Sequence, residues 1–415
     1  MTATSPASGR GSILGRPAFW VAAYASLWFV VGLFPFIPTD LDLVFWPSAQ
    51  AALAGHPLMV YQPAGQTDFP NANGPLSLVP LTAVGALVRA LGWMGDAHLR
   101  RATTAAFFSI FIFLMAREAV AAIERLRGAR LANPARPLTY AVLLLAPPLW
   151  QSLLGFGHIE QGMEVWLVLV SVRWFDEGRV GRAGLAFALA VLARTPAAFL
   201  FIPIGIAAWR RAPGAFARLA TFGAATGLLG LAPFFLADRA DVVHSLVAYR
   251  GGLPVGAGSV WSLAHGTALE AVGRRWDLAF VLVAVLLTNA WLATRPGGFT
   301  GERLYAGLAL TSASFILLAK TVWPYYFMEA FVFVIVWAIG RRRERSGLVS
   351  AAILGAAICG LGLVAEIGST PHQVAALVAL EGGTAFVVLA AMMLWIGLEA
   401  ARPPASRAAT RWRRG

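Results

Sequence analysis

Apolar runs of roughly 16–24 residues recur along almost the whole chain, and each can cross a hydrocarbon core of about 30 Å. A soluble domain would need far more polar surface, typically about 25% charged residues. Here 13% of residues are charged and 58% are hydrophobic, with a mean hydropathy of +0.69. Those values exclude a soluble enzyme, a disulfide scaffold and a disordered chain. The single cysteine, Cys359, lies in an apolar run and has no partner within the chain. A net charge of +13 invites a nucleic-acid reading, but no basic soluble segment exists to hold one. The expected fold class is therefore an all-α polytopic integral membrane protein.

About twelve hydrophobic passes are expected, some of them short: residues 17–37, 99–122, 138–155, 160–175, 181–194, 197–209, 215–236, 277–295, 302–320, 323–340, 347–366 and 373–399. The basic residues are one lysine and otherwise arginine, and their placement sets the expected orientation. With residues 1–16 as a cytoplasmic segment, most arginines fall on alternate connections. They are Arg10 and Arg16, then those within 117–136, 173–182 and 210–218, then Arg295 and Arg303. Arg341, Arg342, Arg343 and Arg345 follow, and the tail 401–415 is basic. An excess of this kind marks the cytoplasmic side. Both termini are expected in the cytoplasm of a bacterial plasma membrane, with the basic tail resting on anionic lipid.

This pattern also decides how residues 76–93 are read. As a full pass they would place the basic connection 117–136 outside and reverse every later one. Pro75, Pro80 and Arg89 fit a segment lying in the outer interface instead. Residues 38–98 are thus one long outer loop carrying two interfacial helices, and 237–276 a second large outer loop. The transmembrane domain spans 17–400.

Few residues could carry chemistry, and most are expected on the outer side. Asp40 and Asp42 follow the first pass. Asp40 could simply cap the next helix, with Asp42 favoured in its first turn; alternatively they supply a general base or a metal-binding pair. If this stretch is helical the two diverge by about 200°, so at most one faces a substrate. His158, Glu160 and Gln161 crowd a short outer turn, either as a solvated turn or as a polar lip on the same cavity. Arg194, before Pro196, interrupts an apolar run and splits it into two short helices. It either snorkels or offers a fixed cation to a phosphate. Lys320, alone among so many arginines, suggests a need for a compact ammonium, and the nearby Tyr325 and Tyr326 have a second reading as interfacial aromatics. In the second loop, Arg250 is the cavity-lining candidate among His244, His265, Arg274 and Arg275. No serine or cysteine catalytic set and no zinc-like spacing is present.

The segment Thr39-Asp40-Leu41-Asp42-Leu43-Val44-Phe45-Trp46-Pro47-Ser48-Ala49, with Gly55 and Tyr61 downstream, resembles the first outer loop of GT-C glycosyltransferases. It is similar to glycosyltransferase family 87 and to the GPI mannosyltransferase I family. Asn73-Gly74-Pro75 stands where those families carry a Tyr-Pro-Pro or Tyr-Thr-Pro element, a departure. Gly157-His158-Ile159-Glu160-Gln161 is similar to a Gly-Gln turn with an insertion. Arg194-Thr195-Pro196 and the stretch from Lys320 to Tyr326 match a basic residue before a broken helix and a late Lys–Tyr-Tyr element. The likeness spans about 17–340 in short, degenerate motifs.

The resemblance implies a GT-C-like fold and transfer of a hexose, mannose first, from a polyprenyl-phosphate donor to an acceptor hydroxyl at the outer face. The acceptor is a glycolipid, polysaccharide or protein. It implies Asp40 or Asp42 as catalytic base, Arg194 and Lys320 as cations for the departing phosphate, and one inverting displacement. No cofactor is required, although a divalent metal is compatible with two nearby aspartates. Two other readings stay open: a transporter or flippase using the broken run at 181–209, and a membrane scaffold binding a partner through its outer loops.

Overall fold

The computed structural model describes residues 17–34, 39–61, 71–256, 259–296, 299–341, 344–368 and 375–402. The segment 1–16, Arg342, Arg343, the Arg345 side chain and the tail beyond Arg402 lie outside the described residues. All regular structure among the described residues is helical.

The first helix, α1 (Pro17–Gly32), leads to a π-helical turn Leu41–Phe45 and α2 (Trp46–Leu53). A 3-10 turn Pro75–Ser77 starts α3 (Leu78–Ala90). This helix is apolar on both faces: Leu81, Val84 and Val88 are buried while Val79, Leu87 and Leu91 are exposed. It packs on α2 and on α4 (Ala97–Arg127). Asp96 starts α4 by accepting the backbone N–H groups of His98 and Leu99, and Gly128, at φ 66°, ends it in the left-handed region. The following α5 (Ala135–Leu145) and α6 (Pro147–Trp150) are separated by a break before Pro147 and Pro148.

Next come α7 (Glu160–Asp176) and α8 (Val180–Ala193), which pack closely together. Arg194 is extended, at φ −149° and ψ 117°, and Pro196 opens a 3-10 turn Thr195–Leu200 before α9 (Phe201–Arg211). The expected break into two short helices is therefore present. The α10 helix (Pro213–Ala237) packs on α8 but leaves Leu228, Leu229 and Leu236 exposed. The second large loop holds α11 (Arg239–Val243), α12 (Tyr249–Gly252) and a 3-10 turn Val260–Ala264. Helix α13 (Ala268–Ala293) begins well before residue 277, the expected start, so its charged first turns extend the apolar run. The chain closes with α14 (Glu302–Leu318), a 3-10 turn Pro324–Tyr326, α15 (Phe327–Gly340), α16 (Glu344–Gly368) and α17 (Ala375–Ala401).

Among the described residues, six helical stretches are long and apolar enough to cross a membrane; α1, α3 with its leading 3-10 turn, α8 and α15 with its leading turn are shorter apolar helices. The molecule is an all-helical, membrane-embedded chain by these criteria. The core runs through α14 and α15, which are buried almost throughout.

The two ends of the bundle differ in chemistry. Where α4, α7, α9 and α15 finish, arginines gather: Arg127 donates to Ile339 O (3.4 Å), Arg211 donates to Phe175 O (2.7 Å), and Arg173 pairs with Glu118. The starts of α7 and α15 bring the acidic and aromatic residues together at the opposite end.

Candidate active-site cavity

The turn before α7 sets the geometry. Gly157, at φ +74°, lets the chain reverse where an added Cβ would lie 2.5 Å from Thr39 Oγ1 and 2.6 Å from Leu41 N. Only glycine fits so close an approach at positive φ. The backbone of Asp40 then donates to Phe156 O (3.0 Å), tying the first loop to this turn.

That contact decides the fate of the two aspartates. Asp40 does not cap the helix; its side chain makes no capping bond. Instead its Oδ2 lies 2.8 Å from His158 Nε2, with the Asp40 side chain 37% exposed. Asp42 turns away, and its Oδ2 accepts Arg101 Nε and Nη2, both at 2.8 Å, with its side chain 13% exposed. Thr39 N also donates to Asp42 (3.3 Å). The stretch is helical, so the expected divergence holds. The two carboxylates therefore do not converge as a metal-binding pair. Among the described residues no group of three or more His, Cys, Asp or Glu side chains is arranged to hold a metal.

Behind Asp40 runs a buried polar chain. His158 Nδ1 lies 2.6 Å from Glu160 Oε1, so both ring nitrogens face carboxylates and both donate. Burial alone would depress the imidazole, but Glu160 first and Asp40 next outweigh it and push its pKa up to about 9. Asn73 Nδ2 donates to Glu160 Oε1 (3.2 Å). Gly74 makes this possible, because its α-carbon presses against the Leu192 carbonyl, where no Cβ fits. Gln161 is buried as a brace: it accepts from Ser152 Oγ (2.6 Å) and donates to Tyr325 O (2.6 Å).

Arg194 is 2% exposed and surrounded by acids. Its Nη1 pairs with Glu329 and lies 3.3 Å from Glu164 Oε2, while its Nε is 3.9 Å from Glu160 Oε1. The Tyr326 ring covers its guanidinium at 4.9 Å. The fixed cation expected here lines the cavity, but it is already paired with Glu164 and Glu329. Lys320 departs further from expectation. Its ammonium donates to Gly251 O (2.8 Å) and Arg274 O (3.0 Å) and is not among the cavity-lining groups.

One cavity of about 200 Å³ collects the remainder. Asp40, His158, Arg194, Arg250, Tyr325 and Tyr326 line it; Asp42, Glu160, Gln161 and Lys320 do not. Its walls are aromatic: Phe156, Tyr249 and Trp323 join the two tyrosines, and Tyr325 stacks on His158 at 3.6 Å. Arg250 reaches the cavity from α12, with its Nη2 3.7 Å from Asp277 and without a hydrogen-bond partner. Among the lining residues Asp40 is the only carboxylate.

Sequence reasoning missed Asn73, Glu164, Glu329, Tyr249 and Asp277. Glu164 and Glu329 carried a readable signal, since acids inside apolar passes are costly and demand a cation. Asn73 was marked only by its place in Asn73-Gly74-Pro75, with no role attached to its side chain. No protein-family profile and no curated protein matches the chain.

Proposed function

We propose that this protein is a GT-C-type membrane glycosyltransferase with twelve passes and its cavity on the outer side. It moves a hexose, with mannose as the first candidate, from a polyprenyl-phosphate donor to an acceptor hydroxyl. The observation that carries the reading is the cavity's composition: one carboxylate, backed by a charged histidine, faces aromatic walls and two arginines, Arg194 and Arg250. Aromatic faces suit the apolar faces of a sugar ring, and a solitary carboxylate suits one proton transfer.

In this mechanism Asp40 accepts the proton of the acceptor hydroxyl as that oxygen bonds the anomeric carbon. The bond from that carbon to the phosphate oxygen breaks in the same displacement, inverting the centre and releasing polyprenyl phosphate. Arg250, which lines the cavity, holds the phosphate and offsets its growing charge. His158 and Glu160 orient Asp40. Arg194 stabilises the cavity floor by pairing with Glu164 and Glu329.

The test is transfer by the purified protein in lipid nanodiscs, given labelled polyprenyl-phosphate sugars and a membrane extract as acceptor source. Transfer from one donor, with release of polyprenyl phosphate, is the expected result. Absence of both turnover and donor binding across the panel overturns the reading.

One observation favours a second reading. The buried set of Arg194, Glu164 and Glu329 is the kind of intramembrane charge cluster that marks proton or ion paths in transporters. A transporter predicts that cysteines placed at Arg194 and Glu329 react with impermeant thiol reagents from both sides; the transferase predicts reaction from the cavity side alone.

A further inference from the structure

The segment 249–256 roofs the cavity with Tyr249, Arg250 and Leu253, yet it is a poor candidate for staying in place unaided. Its helix, α12, has four residues, and Gly251, Gly252 and Gly256 each lose much backbone freedom on ordering. What holds it is the junction after α14. Lys320 Nζ donates to Gly251 O (2.8 Å) at the end of α12, and Thr321 Oγ1 donates to Pro254 O (2.8 Å). Gly256 N donates to Lys320 O (2.8 Å), and Ser259 Oγ donates to Ala319 O (2.8 Å). Asp277 joins the two halves, accepting the Lys320 backbone N–H (3.0 Å) and lying 3.7 Å from Arg250 Nη2.

We infer that Lys320 is a positioning residue: its ammonium clasps the strap 249–256 so that Arg250 points its guanidinium at an anionic group in the cavity. The anion is the donor phosphate, so this part rests on the proposed transferase reading. A long stem ending in a compact ammonium can reach two carbonyls on separate elements, Gly251 O and Arg274 O, which accounts for the chain's single lysine. The charged groups facing this ammonium are Arg250, Arg274 and Asp277.

The experiment uses the full chain in nanodiscs and two readouts. Hydrogen exchange over 249–256 reports the strap directly. Binding of citronellyl phosphate, a short soluble prenyl phosphate, reports the anion site. Lys320→Met should raise exchange over the strap while leaving α4 protected, and Lys320→Arg, with a planar fork in place of the compact ammonium, should restore only part of the protection. Lys320→Met and Arg250→Ala should each weaken citronellyl phosphate binding about tenfold. The double variant should bind no more weakly than Arg250→Ala alone, because Lys320 acts through Arg250. Additive losses, or unchanged strap exchange in Lys320→Met, overturn the assignment. Failure of the unaltered protein to bind the prenyl phosphate overturns the transferase reading instead, and exchange over the strap still decides the clasp.

Discussion

The two ends of the bundle use the same charged residues in opposite ways. At the basic end Arg179 and Glu177 pair at 3.2 Å with side chains 54% and 35% exposed, and Arg136 pairs with Glu124 with the arginine 49% exposed. At the cavity end Arg194, Glu164 and Glu329 have side chains 2%, 0% and 10% exposed. Exposed pairs typically contribute about 0–1 kcal/mol, because water already solvates both partners. Buried ions lose that solvation, and apolar residues of the same size are often as stable or more so. Stability alone therefore explains the basic end but not the cavity end. The buried cluster is costly to build and costly to break, which is what a working site requires.

The comparison can be broken most sharply at Arg194. Arg194→Met leaves two glutamates facing each other without a cation, and a loss of about 3–5 kcal/mol is expected. A melting temperature in detergent equal to that of the unaltered protein would remove the distinction between the ends.

Gly157→Ala comes next. It puts a Cβ against Thr39 Oγ1 and the Leu41 backbone at positive φ, at a cost of about 1–3 kcal/mol. Because the same contact seats Asp40, turnover per folded molecule should fall roughly 100-fold. Equal loss of activity and of folded protein would show that the turn supports the fold alone.

A pH scan sharpens the comparison further. The folded pKa of His158, about 9, lies above the unfolded value, so the protonated ring favours the folded state. That contribution is complete below about pH 6.5 and is lost as pH rises through 9. Melting temperature should fall over this window, and His158→Gln should flatten the fall. The smallest effect is expected at the basic end, where Glu177→Gln, whose partner Arg179 is 54% exposed, should change stability by less than about 1 kcal/mol.

The helices were readable because length and hydropathy are local properties. The break at Arg194 followed from proline and charge. The partners of the charges were not readable. Asp42 meets Arg101, and Arg194 meets Glu329, across long stretches of chain whose packing no local pattern encodes. Lys320 shows the limit most clearly: its singularity marked it as special, but only packing revealed that its targets are carbonyls. Choosing between Asp40 and Asp42 likewise needed the turn at Gly157.

That choice is the centre of the account, and a side-by-side assay of Asp40→Asn and Asp42→Asn tests it most directly. Turnover per folded molecule is measured with the sugar donor that the unaltered protein uses. Asp40→Asn should lose about 10²–10⁴-fold in turnover while still binding donor, as expected for removal of a general base. Asp42→Asn should lose stability through Arg101 yet keep turnover within a few-fold. Full activity in Asp40→Asn would contradict the account, and so would a loss confined to Asp42→Asn.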